Sequence, residues 1–149
     1  GSEMCIRDSS RRLTWFKSLS DAVDAREVDD TLALVGLSER ANMPAMALPE
    51  GQRKLLDVAM ALMLKPQLMI MDEPTSGVAS DNKMQLMDTV MQALAQRQVT
   101  SWFVEHDIDI VKRYATRVAA WIGGRVAADG SPEDVLNQPQ VRQEILGTR

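Results

Sequence analysis

The sequence has few cysteines, few aromatic residues and no surplus of positive charge, and each shortage excludes a class of protein. Its single cysteine, Cys5, excludes an internal disulfide framework and a zinc site built from several cysteines. Its 17 basic residues are outnumbered by 21 acidic ones, so the net charge of -4 gives no positive field that would gather nucleic acid or anionic lipid. Its longest apolar run, Val58 to Leu64, is far shorter than the roughly 20 residues of a membrane-spanning helix.

The remaining composition predicts one globular domain. The chain has 149 residues, of which 45% are hydrophobic and 26% charged, which is enough for a packed core. Ten methionines provide much of the apolar volume, because aromatic residues make up only 4%. Residues 1–9 are interpreted as an artefact, since Gly1-Ser2 looks like a cloning scar and residues 4–9 resemble a translated sequencing adaptor.

The spacing of apolar residues predicts an alternation of helices and short strands. A helix from Ser20 ends near Val35, before Gly36, and a second helix has Pro49 in its first turn and stops before Pro66. The apolar runs 68–71 and 99–104 predict buried strands, the first covered on both faces as in a parallel sheet. The other predictions are a core-facing methionine stripe on a helix at 84–94, helices at 108–114, 131–137 and 140–146, and a hairpin at 118–128 that turns at Gly123-Gly124.

Side chains suited to catalysis follow both predicted strands. Asp72 and Glu73 end the first strand, and His106 lies two residues beyond the second. Ligands of open α/β sheets bind at the carboxyl ends of the strands. At such an edge, the first acid suits Mg²⁺, held directly or through water, the second suits polarising an attacking water, and a neutral imidazole suits donation to a terminal phosphate. Taken singly, a solvated acidic pair and a structural histidine are the commoner outcomes.

Four motifs in order resemble the C-terminal part of the ATP-binding subunits of ABC transporters. The segment Leu48-Pro49-Glu50-Gly51-Gln52 resembles the signature sequence Leu-Ser-Gly-Gly-Gln, and residues 68–73 match the second nucleotide-binding motif. The segment Ser76-Gly77-Val78-Ala79 falls on the D-loop, and His106 matches the switch histidine. The resemblance covers residues 24–147, and the segments 55–62, 104–107 and 145–147 look most like the branched-chain amino acid and urea branch of importers.

This resemblance implies an α/β fold of the P-loop NTPase type, a three-layer sheet of which the chain holds only the C-terminal part. Residues 10–66 would form part of the helical signature subdomain, and residues 67–149 the C-terminal part of the ATP-binding core. The implied cofactors are ATP and Mg²⁺, with Asp72 at the metal and Glu73 and His106 catalytic. The signature and D-loop residues would bind nucleotide, the signature helix with its free N–H groups facing the ATP of the opposite subunit.

The implied partners are a second ATP-binding subunit, identical or different, and transmembrane permease subunits, with no nucleic acid. The implied location is the cytoplasm, peripheral on the inner face of the cell membrane. One alternative is the ATPase head of a DNA-maintenance protein, which the lack of long heptads and the acidic charge balance disfavour. Another is a non-catalytic regulatory module of the same half-fold. Co-purification with a permease or with DNA would separate the first two interpretations.

Three positions depart from the family pattern. Pro49 replaces the signature serine and so removes a hydroxyl and an N–H, and Glu50 adds negative charge near the expected phosphates. Ala79 stands where many members of the family carry the D-loop aspartate, and Asp81 lies nearby. These departures are what keeps the non-catalytic alternative open.

The phosphate-binding loop Gly-x-x-x-x-Gly-Lys-Ser/Thr is missing, because none of the eight glycines precedes a lysine. Without that lysine and its surrounding N–H groups, a pair of carboxylates repels nucleotide more than it binds it. The sequence therefore predicts a portion of a longer subunit, and no measurable ATP hydrolysis by this chain alone.

Overall fold

A computed structural model describes residues 24–144 and Gly147. Three sequence predictions lie outside the described residues: the artefact at 1–9, the start of the first helix at 20–23, and the end of the last helix at 145–146. The chain divides into two compact units, with the boundary between Phe103 and Val104.

The first unit alternates helices with strands, as the sequence predicts. Its elements are helices α1 (Ala25–Leu34), α2 (Glu50–Leu62) and α3 (Ser80–Gln96), and strands β1 (Leu68–Asp72) and β2 (Thr100–Val104), the last of which ends at the unit boundary. The strands pair in a two-stranded sheet. At its start the N–H of Thr100 donates to the carbonyl oxygen of Gln67 over 3.0 Å. Because both strands start at this edge, they run parallel and end at the same opposite edge.

The core of the first unit forms around one face of α3. Met87, Val90 and Leu94 recur at helical spacing and are at most 1% exposed. Leu62 and Ala59 of α2 are buried as well, and α2 packs against α3. The predicted methionine stripe is therefore a packing face of the core, with Met84 and Met91 half-buried at its margins.

The prediction that β1 is covered on both faces is wrong for the described part of the chain. Met69 and Met71 are buried, whereas Leu68 and Ile70 are 48% and 67% exposed. Successive side chains of a strand point to opposite faces, so one face of β1 is covered and the other is open. β2 was likewise predicted to be buried, yet its Trp102 is 57% exposed.

The helix ends follow local chemistry, with one shift. Asp24 caps α1 by accepting a hydrogen bond from the N–H of Arg26 at 3.0 Å. α2 begins at Glu50 and not at Pro49, because the ψ of 154° at Pro49 is extended and makes this residue the N-cap. Two 3₁₀ turns, Ser38–Arg40 and Ala45–Ala47, lie between α1 and α2. Within residues 24–144, no helix combines the length and the apolar character that crossing a membrane requires.

The second unit is a hairpin with helices. It contains α4 (Ile108–Tyr114), β3 (Val118–Ile122), β4 (Arg125–Gly130), α5 (Pro132–Leu136) and α6 (Pro139–Glu144). The strands are antiparallel, and Gly123 and Gly124 both adopt positive φ, which a two-residue turn of this kind requires. Ser131 caps α5 and Pro132 occupies its first turn, both as predicted. The core of this unit is formed by Val111, Ala120, Ala128, Val135, Leu136 and Val141.

An ion pair joins the outer ends of the hairpin. The Nε and Nη2 atoms of Arg117 lie 2.8 and 2.6 Å from the two carboxylate oxygens of Asp129. The hydrogen bond from Arg117 lowers the pKa of the Asp129 carboxyl. The pair therefore stabilises the hairpin above the ordinary pKa of an aspartate, and this contribution is lost as the pH falls through the lowered value. Both groups are exposed, so the contribution is small.

The buried methionine face yields a stability prediction. Met87→Ala should lower the free energy of unfolding of the first unit by about 2–5 kcal/mol, because it leaves a cavity among fully buried neighbours. Met46, which is 84% exposed, is the matched control, and Met46→Ala should change it by less than about 0.5 kcal/mol. Urea unfolding measures both free energies, followed by the fluorescence of Trp102 in a background in which Trp15 and Trp121 are replaced by phenylalanine. Equal losses would contradict the packing described.

Candidate functional site

The predicted signature segment forms the start of α2. Leu48 is buried with an extended backbone, and Pro49 is an N-cap that offers no side-chain hydrogen bond. The N–H of Arg53 donates to the carbonyl oxygen of Pro49 and closes the first turn. The N–H groups of the three residues between them, Glu50 to Gln52, therefore have no acceptor within the helix and carry its positive dipole end. Such an end is suited to an anion.

Gly51 places this helix end directly on the predicted D-loop. A Cβ atom at Gly51 would lie 3.6 Å from Cδ1 of Leu86 in α3 and 3.9 Å from Cγ1 of Val78. These are ordinary van der Waals distances, so the start of α2 is in close packing with both neighbours. The structure thus brings together two motifs that lie more than twenty residues apart along the chain.

The segment from Glu73 to Ala79 is a tight turn between β1 and α3. The N–H of Ser76 donates to the carbonyl oxygen of Glu73 over 3.0 Å, and the N–H of Val78 donates to that of Thr75 over 3.2 Å. Thr75 is 1% exposed and anchors the turn in the core. Asp72 is exposed at the end of β1, and Glu73 is half-buried with a φ of +44°, in the left-handed region that non-glycine residues rarely adopt.

The carboxylate of Glu50 lies against the other end of this turn. The φ of Gly77 is +74°, a conformation that favours glycine, and a Cβ atom there would be 2.7 Å from Oε1 of Glu50, so the Glu50 side chain would have to shift. The second oxygen, Oε2, lies 3.5 Å from Nη2 of Arg53. The negative charge that sequence analysis identified at Glu50 is therefore directed at Gly77 and Arg53.

Two of the departures from the family motifs fall on helix N-caps. Pro49 is the N-cap of α2 and Ala79 is the N-cap of α3, and neither offers a side-chain acceptor. In contrast, α1, α4 and α5 are capped by Asp24, Asp107 and Ser131. The two helices that meet at the site thus begin with uncapped N–H groups.

Sequence analysis missed Lys54. Its Nζ atom lies 3.4 Å from the carbonyl oxygen of Glu73, which connects α2 to the turn after β1. The available signal was the position of Lys54 four residues after Glu50, because side chains at that spacing share one helix face.

Gln52 carries an unsatisfied acceptor. Its Oε1 atom is buried and has no hydrogen-bond partner within the part of the chain that the structure describes. A buried acceptor left without a donor costs about 1–3 kcal/mol. This atom therefore suits a donor supplied by another molecule, such as a hydroxyl group or a water.

His106 belongs to the second unit and is described there. It is exposed and directly precedes Asp107, the N-cap of α4, whose Oδ1 accepts from the N–H of Asp109 at 3.2 Å. The N–H of His106 donates to Oε2 of Glu105, also at 3.2 Å. The turn that places the imidazole at the end of β2 is thus stabilised by carboxylates on either side. Since Glu73 lies in the first unit, joint action of the two residues stays a prediction.

The residues present fit Mg²⁺ only together with a nucleotide. Across the described ranges, no group of three or more His, Cys, Asp or Glu side chains is placed to hold a metal ion. Asp72 is a single exposed carboxylate. Mg²⁺ commonly binds through one or two carboxylates, with phosphate oxygens and waters filling the other positions.

Comparisons with known proteins find ATP-binding proteins of ABC transporters. The family model described as ABC transporter matches residues 3–76. The glutamine transport ATP-binding protein GlnQ of Escherichia coli is 38% identical over 124 residues, which are 82% of this chain and 50% of that protein. The probable branched-chain amino acid transport ATP-binding protein LivG of Archaeoglobus fulgidus is 33% identical over 135 residues, 91% of this chain and 51% of that protein.

A solved structure has the same fold. The ADP conformation of MJ1267, an ATP-binding cassette of an ABC transporter, matches with a TM-score of 0.76 and 28% identity over 91% of this chain and 54% of that one. The chain is similar to ATP-binding proteins of ABC transporters, and the α/β fold class predicted from the sequence is confirmed. It spans about half the length of the curated relatives it matches.

The uncapped start of α3 yields a prediction. Ala79→Asp should raise the free energy of unfolding of the first unit by about 1 kcal/mol, because an aspartate at the N-cap accepts from free N–H groups of the first turn. The matched control is Ala95→Asp in the last turn of the same helix, which should be destabilising because it opposes the helix dipole. Urea unfolding measures both, and a loss of stability in Ala79→Asp would contradict the assignment of the cap.

Proposed function

We propose that the chain is the C-terminal part of an ATP-binding subunit, the part that carries the residues for ATP hydrolysis. The whole subunit would drive an ABC importer of amino acids or of a related small solute such as urea. The packing of Gly51 against Val78 and Leu86 carries this proposal, since it joins the signature segment and the D-loop segment in one site. The names of the relatives support the solute class, because they include a glutamine transporter and a branched-chain amino acid transporter.

In this proposal, three side chains at the strand ends act on ATP. Glu73 is the general base that orients and polarises the attacking water. Asp72 holds Mg²⁺, directly or through water, and the ion neutralises phosphate charge. His106, as a neutral imidazole, donates a hydrogen bond to the terminal phosphate. The cofactors of the whole subunit are then ATP and Mg²⁺.

The same proposal requires a second ATP-binding subunit. The free N–H groups at Glu50, Gly51 and Gln52 face the phosphates of the nucleotide that the opposite subunit holds. The D-loop segment, Ser76 to Ala79, lies beside them and faces the same partner. A two-fold arrangement lets each subunit supply both halves of the contact, in a homodimer or in a heterodimer of related chains.

The helical segment, residues 10–66, is where we propose that a permease subunit docks. The described surface of this segment includes a groove of about 470 Å³ beside α2. Met46 and Met60 line the groove and are 84% and 55% exposed. Methionine adapts its shape to a partner, which suits a contact that changes during transport. The proposed location is therefore cytoplasmic, at the inner face of the cell membrane.

We further propose that the chain is inactive without the phosphate-binding half of the subunit. Leu68, Ile70 and Trp102 leave an apolar face of the sheet open, and a strand that is apolar on both faces is typical of a sheet covered on both sides. The sequence contains no phosphate-binding loop of the form Gly-x-x-x-x-Gly-Lys-Ser/Thr to hold the phosphates. The remaining half would supply that loop and cover the open face.

A second candidate function is a non-catalytic module of the same half-fold. Pro49 and Ala79 favour it. Both are N-cap residues without a side-chain hydrogen bond, and both replace family residues that would contact nucleotide. This candidate predicts no ATP hydrolysis even when the phosphate-binding half is present.

The test joins the chain to an N-terminal segment that carries a Gly-x-x-x-x-Gly-Lys-Ser loop and measures ATP hydrolysis with Mg²⁺. We expect turnover in the joined protein and none in the chain alone. Glu73→Gln should reduce turnover about 100-fold or more while ATP binding persists, because the general base is lost. The matched control is Glu133→Gln, an exposed glutamate of the second unit, which should leave turnover unchanged.

Two results would contradict the proposal. Full turnover by the joined Glu73→Gln variant would exclude Glu73 as the general base. Hydrolysis by the chain alone that Glu73→Gln abolishes would show that the phosphate-binding half is unnecessary.

A further inference from the structure

Glu73 adopts a backbone conformation that needs support from outside its own turn. Its φ of +44° is positive, as are those of Lys65 and Gln98. Lys65 and Gln98 each follow the end of a helix, where the N–H groups of Lys65 and Gln98 close the last turn on Leu62 and Ala95. Glu73 instead follows a strand, so no helix end explains its conformation.

Lys54 provides a contact that fixes this conformation. The carbonyl oxygen of Glu73 accepts from the N–H of Ser76 at 3.0 Å and from Nζ of Lys54 at 3.4 Å. The first bond lies within the turn, whereas the second comes from α2, nineteen residues earlier. Both Lys54 and Glu73 are half-buried, so the ammonium group is partly shielded from competing water.

One face of α2 therefore holds both ends of the turn. Glu50 and Lys54 are four residues apart and lie on the same helix face. Glu50 places its carboxylate against Gly77, and Lys54 places its ammonium group on the carbonyl of Glu73. The positive charge of Lys54 lies beside a carbonyl oxygen, which attracts it, and the negative charge of Glu50 lies at the Gly77 end of the turn.

We propose that Lys54 is a positioning residue for Glu73. By binding the Glu73 carbonyl, it holds the left-handed φ that sets the direction of the Cα–Cβ bond and hence of the carboxylate. This inference rests on the proposed function, in which Glu73 is the general base. The direction of the Glu73 carboxylate then depends on the position of α2. The first turn of α2 carries the segment proposed to face nucleotide.

The test uses the full chain, labelled with ¹³C and ¹⁵N, and reads the φ-dependent scalar couplings of Glu73 by NMR. In the wild type these couplings should report a positive φ. Lys54→Met keeps the length of the side chain but removes the donor, so the couplings should move toward the values of negative φ. Lys54→Arg keeps a cation within reach and should restore the wild-type values.

The matched control is Arg53→Met, which removes the neighbouring cation that contacts Glu50 and not Glu73. It should leave the couplings of Glu73 unchanged. If Lys54→Met does not fold, Lys54→Gln provides the same comparison with a polar side chain too short to reach the carbonyl in the same way. Wild-type couplings in the folded Met or Gln variant would overturn the proposal.

The outcome is independent of ATP hydrolysis, because the couplings are measured without nucleotide. An unchanged Glu73 in Lys54→Met would overturn the role of Lys54 and leave the proposed ATPase activity standing. Full turnover in the joined Glu73→Gln protein would overturn Glu73 as the general base and leave the effect of Lys54 on the Glu73 backbone standing.

Discussion

The close approach of α2 to the turn after β1 is the contact on which the site depends. At this approach the start of the helix packs on Val78 and Leu86, and a Cβ at Gly51 would lie 3.9 and 3.6 Å from them. The approach brings Glu50 to Gly77 and Lys54 to the carbonyl of Glu73. The start of α2, which is proposed to face one nucleotide, is thereby in contact with the turn that carries Glu73, which is proposed to act on another nucleotide.

The site keeps features that a structure selected only for stability would remove. Among the residues that the structure describes, α2 and α3 both begin without a side-chain cap, the buried Oε1 of Gln52 has no hydrogen-bond partner, and Glu73 adopts a left-handed φ. Each of these features costs free energy, and such costs concentrate where a protein binds or reacts. The surrounding core compensates, with Met87, Leu94 and Thr75 almost fully buried beneath the turn and the helices.

Local chemistry predicted the parts of the fold that depend on neighbouring residues. Ser131 and Pro132 predicted the start of α5, paired glycines predicted the hairpin turn, and the helical spacing of Met87, Val90 and Leu94 predicted the core face of α3. Motif order predicted that the signature segment serves the nucleotide of an opposite subunit and that the strand-end residues act on another, and both roles stay predictions. These signals work because capping, turn geometry and periodicity act within a few residues.

Tertiary contacts set the features that the sequence could not predict. Whether the face of β1 with Leu68 and Ile70 is covered or open depends on which other elements pack against it. The sequence of the strand is apolar on both faces and does not distinguish a covered face from an open one. Lys54 was missed because its partner is a backbone carbonyl, which carries no side-chain signal. The shift of α2 by one residue follows from the ψ of Pro49, which the residue type alone leaves free.

The central claim is that the start of α2 and the turn after β1 form one unit. It is tested most directly by the nuclear Overhauser effect between the α-protons of Gly51 and the methyl groups of Val78. The structure predicts a strong effect, because a Cβ at Gly51 would lie 3.9 Å from Cγ1 of Val78. If the folded chain shows no such effect, the two motifs do not meet and the site described does not exist.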